Sequence, residues 1–310
     1  MRDPAEAGST LCLHALHLSH SMSGCGRSVS CSICNSMKSM TTRTKGIAMS
    51  STFPFPRLKR ILLYASLAVS LAPPTSAWAD DAKVLLKTMS DFLTAQKTIS
   101  FTYQSSLEAV TPDFEKLQFV SSGTANLTRP DKLRVTRTGG FADLDVSFDG
   151  SSLTVHGKNL DAYAKIDGKG SLDELIDRLM TAGVEAPGAD LLSSNVYDVL
   201  MSDVTEAKHI SSAFVDGVEC EYLAFRTPEI DWQIWIQSGP QPIPRRYVIT
   251  SKHVVQAPQY TLEIRDFKSG ADVAAVSYTI EVPASAKTVD LSEMQSLDEL
   301  PEAASMGEVK

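Results

Sequence analysis

The segment from residue 123 to residue 167 alternates apolar and polar side chains in short runs, and this pattern constrains the fold more than any other feature of the chain. Leu133 and Val135 alternate with charged and hydroxyl residues in one run, and Val146 and Phe148 do the same in the next. Successive side chains of a strand point to opposite faces of a sheet, so a period of two residues indicates strands with one buried and one solvent-exposed face. We therefore predict a series of short strands here.

Turn signals separate these runs. Asp149 and Gly150 form a dipeptide that readily supplies the positive φ angles of a tight hairpin turn. A second turn signal, Gly-Lys-Asn, occupies residues 157–159, and an Arg-Pro-Asp sequence at residues 129–131 precedes the first run. Proline fixes its own φ angle and is typical of a turn or a strand start. The segment is therefore predicted to be an antiparallel β-meander.

A signal peptide is predicted upstream of the meander. Three basic residues within residues 57–60 precede an apolar run at residues 61–72, and a small-x-small sequence ends at Ala79. The apolar run is too short to span a bilayer but fits the central region of a secretory signal. We therefore expect export to the periplasm, with cleavage after Ala79.

This leader determines the expected domain organisation. Signal peptides lie at the N-terminus, so Met49 is the expected start, and residues 1–48 are expected to be a mis-assigned or disordered upstream segment. Residues 49–79 are the predicted signal peptide, and residues 80–310 are predicted to form a single domain with a flexible C-terminal tail. That domain carries 21 basic and 35 acidic residues, a formal net charge of −14. Such an acidic surface argues against nucleic acid and anionic membranes as main partners.

The cysteines do not indicate a metal or redox site. Four of the five lie within residues 1–48, including the Cys-x-x-Cys pair Cys31 and Cys34, which precedes the leader and has no partner pair. Cys220 remains in the domain, and its strand pattern predicts a buried, inert thiol. No cysteine lies at the predicted cleavage site, so we expect no lipid anchor.

Two helical regions accompany the strands. A helix is predicted from Asp80, with acidic residues at its N-terminal end and an apolar stripe toward the core. The residues of this stripe are Leu85, Met89, Phe92 and Leu93. Ser171 and Glu174 have the spacing of a capping box, which predicts a second helix that ends at Gly183. Residues 187–200 are expected to form a shorter helical or irregular cover.

Further strands complete the predicted fold. They span residues 98–107, a segment that begins at residue 117, and residues 210–214, 220–225, 232–236, 245–250, 260–267 and 276–282, with a loosely held tail after residue 283. So few helices cannot alternate with the strands, which excludes a parallel α/β fold. The predicted class is α+β, mainly antiparallel β, as a curved, half-open β-barrel with a few covering helices. Its concave face would hold more apolar side chains than the helices can cover.

Several of these motifs together resemble a known family. They are Gly123 with Arg129-Pro130-Asp131-Lys132-Leu133-Arg134, Phe148-Asp149-Gly150, Tyr163-Ala164, Asp231-Trp232 with Trp235-Ile236, Pro242 with Pro244-Arg245-Arg246, and Ile249-Thr250. Over residues 80–305 the chain is similar to the bacterial predicted periplasmic family termed domain of unknown function 2092. The Arg-Pro hairpin and the following Asp-Gly turn also resemble the LolA/LolB-type lipoprotein-binding fold. That resemblance implies a half-open antiparallel barrel, closed by helices around an apolar cavity.

Motifs of catalysis are missing from the sequence. It has no G-x-S-x-G, no H-E-x-x-H, no P-loop and no G-x-G-x-x-G motif. His156, His209 and His253 are far apart in the chain and lack ligands at metal spacing, so we interpret them as surface or hydrogen-bonded strand histidines. We therefore predict a protein that is not an enzyme, with no catalytic residue, no metal site and no cofactor.

Other polar and aromatic residues allow two interpretations each. Asp143, Asp145 and Asp149 could form a cation site or an acid/base pair, but a solvated strand face and a turn explain them better. Trp232 and Trp235 have odd spacing in a strand and therefore point to opposite faces, which favours core packing over a ligand platform. Four arginines could meet acidic lipid head groups at a cavity mouth, although solvated positions explain them without a ligand. They are Arg129, Arg134, Arg245 and Arg246.

The function that this pattern favours is a non-catalytic periplasmic protein that binds a lipid, an acyl chain or a lipoprotein in an apolar barrel cavity. Strand parity alone selects the residues predicted to line that cavity. They are Phe101, Tyr103, Phe119, Leu133, Val135, Phe148, Leu153 and Val155. The alternative is a protein-interaction or envelope-stress-sensing module, which predicts a filled core and an exposed apolar patch or free sheet edge. A hydrolase has the least support, and a monomer without a stable membrane anchor is expected.

Overall fold

The computed structural model describes residues 75–140, 143–181 and 186–290. Within them the helices are α1 (Thr75–Ala95), α2 (Leu172–Thr181) and α3 (Val196–Met201), with 3-10 turns at Ala189–Leu192 and Gly270–Asp272. The strands are β1 (Thr98–Val110), β2 (Lys116–Thr128), β3 (Lys132–Gly139), β4 (Asp143–Phe148), β5 (Ser152–Gly157), β6 (Ala162–Asp167), β7 (Glu206–Val215), β8 (Val218–Arg226), β9 (Ile230–Gln237), β10 (Pro244–Ser251), β11 (Gln259–Ser269) and β12 (Lys287–Thr288). The predicted leader lies mostly outside these residues, as do residues 1–48.

The described strands form a single sheet in the order β12-β6-β5-β4-β3-β2-β1-β11-β10-β9-β8-β7. The β12–β6 pair is parallel, and the other neighbours are antiparallel. The sheet is open, with β12 and β7 at its two edges. The α+β, mainly antiparallel class and the β-meander are therefore confirmed. Because β1 pairs with β11, the strands before and after the helical insert join side by side.

One face of the sheet carries the hydrophobic core. Directly paired residues share a face, so the register assigns every strand position to one side. On one side, here called the inner face, Leu127, Leu133, Phe148 and Leu153 form a row across four strands. These side chains join residues of α1, α2 and α3 in one buried cluster. The opposite side is called the outer face.

Helix α1 packs a narrow apolar stripe into this cluster. Ala82, Leu86, Met89 and Leu93 are buried, and their spacing of four, three and four residues places them on one side of a helix. Burial of each of the three larger side chains, Leu86, Met89 and Leu93, contributes about 1.5–3 kcal/mol of stabilisation. Of the predicted stripe, Met89 and Leu93 are buried, and Leu85 and Phe92 are half-buried against the same cluster, so the core-facing side is confirmed. The helix also begins at residue 75, before the predicted start.

A capping box starts α2, as predicted. The backbone N–H of Glu174 donates to the Ser171 hydroxyl oxygen (3.2 Å), and the Ser171 N–H donates to the Glu174 carboxylate (2.7 Å). Two of the helix's first unpaired backbone donors are thus satisfied. Leu172 and Leu175 point into the core. The predicted stop at Gly183 lies outside the described residues.

The prediction of a strand at residues 276–282 is wrong. Residues 273–290, here called the strap, cross the outer face, and residues 276–282 have no ladder partner. The Arg134 guanidinium donates to the Ser277 carbonyl oxygen (3.0 Å), and the Ser147 hydroxyl donates to the Tyr278 carbonyl oxygen. Alternate residues of this extended segment are half-buried, which explains why its sequence has the period of a strand.

The strap ends as the parallel strand β12. The Lys287 N–H donates to the Asp161 carbonyl oxygen (2.8 Å), and the Val289 N–H donates to the Tyr163 carbonyl oxygen (2.9 Å). The chain is therefore hydrogen-bonded as far as this edge, which corrects the expectation of a loosely held tail directly after residue 283. The predicted flexible tail beyond residue 290 lies outside the described residues.

Candidate functional site

All eight residues predicted to line a cavity occupy inward positions. Phe101 and Tyr103 lie on β1, Phe119 on β2, and the other five on β3, β4 and β5 at matching register. Phe101, Phe148 and Leu153 are buried in the main core cluster. Tyr103, Leu133, Val135 and Val155 are half-buried against that cluster, whereas Phe119 is half-buried and not one of its members. The structure thus brings seven of the eight predicted residues together.

A row of valines crosses the inner face beside the buried core. Val135 pairs with Val146, and Val146 pairs with Val155, so the three side chains lie next to one another on β3, β4 and β5. All three are half-buried rather than covered. Val146 was not among the predicted lining residues, although the alternation that selects Val135 also selects it. The valine row is apolar surface that an apolar ligand can cover.

Arg137 stands next to this row. It follows Val135 by two residues and pairs with Leu144 and Gly123, so its side chain projects from the inner face. Arg137 is half-buried. Leu133 and Val135 precede Arg137 on the same face of β3 and suggest an entirely apolar face. The sequence analysis therefore did not identify Arg137 as a residue of this face.

Tyr103 fills the space above a glycine in the adjacent row. Tyr103 pairs with Gly123 across β1 and β2, and its hydroxyl donates to the Thr136 carbonyl oxygen on β3 (2.9 Å). A Cβ atom at Gly123 would lie 1.8 Å from that carbonyl oxygen. Glycine therefore permits the tyrosine to span from β1 to β3.

Aromatic rings connect this tyrosine to helix α1. The ring centroids of Phe92 and Phe267 are 6.3 Å apart, and those of Phe267 and Phe101 are 6.4 Å apart and nearly parallel. Phe101 meets Tyr103 edge to face at 6.5 Å. Such pairs contribute about 0.5–1.5 kcal/mol beyond their burial. The aromatic series thus links α1 to the inner face of β11 and β1.

A buried carboxyl group attaches the helical cover to the sheet. Asp190 lies in the 3-10 turn before α3 and accepts hydrogen bonds from the Tyr247 hydroxyl (3.0 Å) and the Leu191 N–H (2.9 Å). Burial raises the pKa of Asp190 to about 6, although both hydrogen bonds act in the opposite direction. Tyr247 lies on β10 and also packs edge to face against Trp232. Sequence reasoning gave no role to Asp190, because nothing in its neighbourhood marks a buried carboxyl group.

Arg129 and Asp173 make a second attachment. The Arg129 guanidinium donates to the Leu192 carbonyl oxygen (3.0 Å), and burial lowers the pKa of Arg129 while the nearby Asp173 opposes that shift. The Asp173 carboxylate accepts from the Ser193 hydroxyl (3.1 Å) and the Ser194 N–H (2.8 Å). Burial raises the pKa of Asp173, but these hydrogen bonds and Arg129 lower it overall. Arg129 is thus half-buried under the cover rather than solvated.

The family model described as predicted periplasmic protein, DUF2092, matches residues 82–292. The chain belongs to the DUF2092 family. Its description confirms the predicted periplasmic localisation and the family resemblance. In the parts of the chain that the structure describes, no helix combines the length and apolar character needed to cross a membrane.

Solved structures provide distant similarities to this DUF2092 protein. An uncharacterised conserved protein from Thermus thermophilus is 10% identical, with 68% of this chain and 99% of that chain covered and a TM-score of 0.41. The Pseudomonas aeruginosa MucA/MucB complex is 13% identical, with 67% and 63% covered and a TM-score of 0.40. The Mycobacterium tuberculosis lipoprotein LppX is 11% identical, with 64% and 99% covered and a TM-score of 0.35. Comparison with curated proteins finds no match.

The outer face of the DUF2092 domain is polar but not fully solvated. The Arg134 guanidinium donates twice to the Asp145 carboxylate (3.2 and 2.7 Å). Asp145 is only 6% exposed and Ser147 only 2%, because the strap covers them. The expectation that Asp145 and Arg134 are solvated is therefore wrong. Asp143 remains at the surface, where Lys158 pairs with it at 3.3 Å.

Asp149 and the three histidines lie apart from one another and do not form a common binding site. Asp149 accepts from the Ser151 and Ser152 backbone N–H groups (both 2.8 Å), and mainly the Ser152 bond lowers its pKa. His156 is buried on the outer face. His209 contacts the Glu221 carboxylate at 2.8 Å, and the His253 ring lies 3.0 Å from the Pro228 carbonyl oxygen. Among the described residues, no group of three or more His, Cys, Asp or Glu side chains could hold a metal ion.

The two strand tryptophans point to opposite faces, as predicted. Trp232 is buried on the inner face and stacks on Phe225 with centroids 4.0 Å apart. Trp235 stacks on Tyr222 at 4.3 Å on the outer face, with the Arg246 guanidinium 5.5 Å from its ring centre. Both therefore act in packing.

Cys220 is buried, as predicted. Its thiol lies 3.4 Å from the Val218 carbonyl oxygen, and burial raises the pKa of the thiol above its usual value. A raised pKa lowers the fraction of the nucleophilic thiolate at neutral pH. Cys220 thus has the environment of a structural cysteine. Arg245 contributes a weaker, opposing effect on that pKa.

Proposed function

We propose that this DUF2092 protein is a non-catalytic periplasmic carrier that binds the acyl chain of a lipid or lipoprotein on the inner face of its sheet. The observation that carries this proposal is the valine row. Val135, Val146 and Val155 are contiguous, apolar and half-buried beside the packed core. An acyl chain that covers them gains about 25 cal/mol for each Å² of apolar surface removed from water.

The helical cover supports this proposal. Asp190 and Arg129 attach it to the sheet through single hydrogen bonds to Tyr247 and Leu192. Contacts of this kind each contribute about 0.5–3 kcal/mol net, in addition to the buried Leu172, Leu191 and Val196 of the cover. The cover thus holds one side of the apolar face on which the proposed chain lies.

The distribution of the core supports the half-open barrel shape that this function requires. Residues of β4 and β5, near one edge of the sheet, belong to the same buried cluster as residues of β8 and β9, near the other edge. Helices α1, α2 and α3 contribute to that cluster as well. A sheet curved around its helices accounts for one cluster of this extent.

A direct test uses a neutral apolar ligand. The exported protein is titrated with the fluorescent probe N-phenyl-1-naphthylamine, and 1-hexadecanol is then added as competitor. We expect saturable probe binding and displacement by hexadecanol. Val146→Asn places an amide in the valine row, and a poorly compensated polar group in an apolar contact reduces affinity by about tenfold or more.

The matched control is Thr154→Asn, on the outer face of the neighbouring strand. Thr154 pairs with Ser147, whereas Val155 pairs with Val146. The control introduces the same amide and should leave probe affinity unchanged. Equal affinity in the wild type and the Val146→Asn variant, or no saturable binding, would contradict an inner-face acyl site.

A second candidate function is that of a protein-interaction module. Edge strand β7 carries Phe214, which is 72% exposed, and Ile210, which is 42% exposed. An open edge with apolar side chains can accept a strand from another protein. A pull-down from a periplasmic extract that loses its captured protein when Phe214 is changed to Ser would favour this candidate.

A further inference from the structure

The inner face of the first six strands is almost free of charge. Its inward positions follow from the register, which links each strand to the next without a shift from β1 to β6. These positions hold aliphatic and aromatic side chains together with glycines, alanines and two serines. Among the inward positions that the structure describes on these strands, Arg137 is the one charged residue.

This position places a permanent charge next to apolar side chains. A guanidinium stays protonated in proteins, and removing it from water costs free energy. Arg137 is half-buried, and its strand neighbour on the inner face is Val135. The guanidinium therefore lies within reach of a molecule that covers the valine row.

The surroundings of Arg137 match an amphiphile. The valine row begins one inward position away, at Val135, and runs across β4 and β5. In the row of Arg137 itself, Leu144 is followed by Gly157 and Ala162, whose side chains are absent or small. The face therefore offers a length of apolar surface with the cation of Arg137 at its side and little steric obstruction beyond Leu144. The exposed Lys287 of β12, which pairs with Ala162, closes the far end of this row.

We propose that Arg137 binds the anionic head group, a carboxylate or a phosphate, of an acyl amphiphile whose chain lies on the valine row. The planar guanidinium presents paired N–H donors that match the oxygens of both groups. This inference rests on the proposed acyl-binding function and adds the class of head group. The ligand is thus an acidic lipid rather than a neutral one.

The experiment compares three competitors that share one chain length. Palmitate, hexadecyl phosphate and 1-hexadecanol each displace N-phenyl-1-naphthylamine from the exported wild-type protein. We expect at least one anion to bind about tenfold more tightly than the alcohol, because a charge-assisted hydrogen bond adds to the same chain contact. The stronger anion distinguishes a carboxylate from a phosphate head group.

Variants then assign the preference to Arg137. Arg137→Met keeps the length of the side chain without the charge and should bind all three competitors with the affinity that the alcohol shows for the wild type. Arg137→Lys keeps the charge and should retain the preference in part. Lys165→Met removes an exposed cation from the outer face of β6 and should change nothing.

The outcomes separate the two proposals. A preference for anions that survives in Arg137→Met overturns the role of Arg137, while hexadecanol binding still upholds an acyl site. Equal wild-type affinity for all three competitors also overturns it. No displacement by any of the three refutes the acyl-binding function and this inference together. If Arg137→Met does not fold, full loss of the preference in a folded Arg137→Gln variant takes its place, and a retained preference there overturns the role.

Discussion

Tyr103 lies across Gly123 and donates a hydrogen bond to the Thr136 carbonyl oxygen on the strand beyond it. A Cβ atom at Gly123 would lie 2.9 Å from the Tyr103 hydroxyl and 1.8 Å from that carbonyl oxygen. The second contact is with backbone, which cannot turn away as a side chain can. The pair thus fixes the register of three strands beside the valine row.

Replacing this glycine by alanine should destabilise the protein. Gly123→Ala forces β2 and β3 apart and displaces Tyr103, and overpacking of this kind costs about 1–3 kcal/mol or more. Chemical denaturation measures the change in unfolding free energy. Gly140→Ala is the matched control, because a Cβ there meets nothing within 4 Å, and its stability should stay close to that of the wild type. Similar effects of the two substitutions would show that the close contact does not exist.

Asp190 should give the protein a specific pH dependence. Its pKa is about 6 in the folded state against 3.8 for the free side chain, so the folded protein binds this proton more tightly. The stabilisation is complete below about pH 4 and is lost as the pH rises through 6, and it amounts to about 3 kcal/mol. The unfolding free energy of the wild type relative to Asp190→Asn should fall by that order between pH 4 and pH 7.

This comparison isolates one group from the others that titrate. Asp149 and Asp173 have lowered pKa values, and their stabilisation changes in the opposite direction, but it is common to both proteins and cancels in the difference. Tyr247→Phe serves as the control, since it removes the hydrogen bond and keeps the carboxyl group. A difference between wild type and Asp190→Asn that is constant from pH 4 to pH 7 would mean that Asp190 is accessible to water.

The ion pair under the strap should be worth more than a surface pair. Arg134→Met leaves the Asp145 carboxylate, only 6% exposed, without its partner, and an uncompensated buried charge costs about 3–5 kcal/mol. Adding Asp145→Asn should restore most of that stability, as measured in a double-mutant cycle. Lys158→Met breaks the exposed pair with Asp143 and should cost less than about 1 kcal/mol. Equal costs for the arginine variant and the lysine variant would indicate that the strap does not exclude water.

Much of the fold was predictable because it depends on local pattern. The alternation of Leu133 and Val135, the Asp149-Gly150 turn and the capping box of Ser171 each specify local geometry without help from distant residues. Gly150 and Gly217 adopt the positive φ angles that such turns need. Strand parity likewise placed all eight predicted lining residues on one face.

The errors have a common physical origin in long-range contacts. Asp145 looks like a solvated strand residue, and its burial depends on Ser277 and Tyr278, which follow more than 130 residues later. Residues 276–282 alternate like a strand because they lie extended on the outer face. Asp190 is buried against the sheet, where it accepts a hydrogen bond from Tyr247. Tyr247 lies 57 residues later in the chain, so no local pattern predicts this contact.

Native mass spectrometry of residues 80–310, the predicted mature chain, purified from a bacterial periplasm, tests acyl binding most directly. Our proposal predicts a discrete added mass of an acidic lipid or acylated molecule, which organic solvent removes and which Val146→Asn reduces. A mass equal to that of the polypeptide, unchanged after addition of fatty acids, phospholipids or acylated peptides, would contradict it. That result would favour an interaction module on the β7 edge instead.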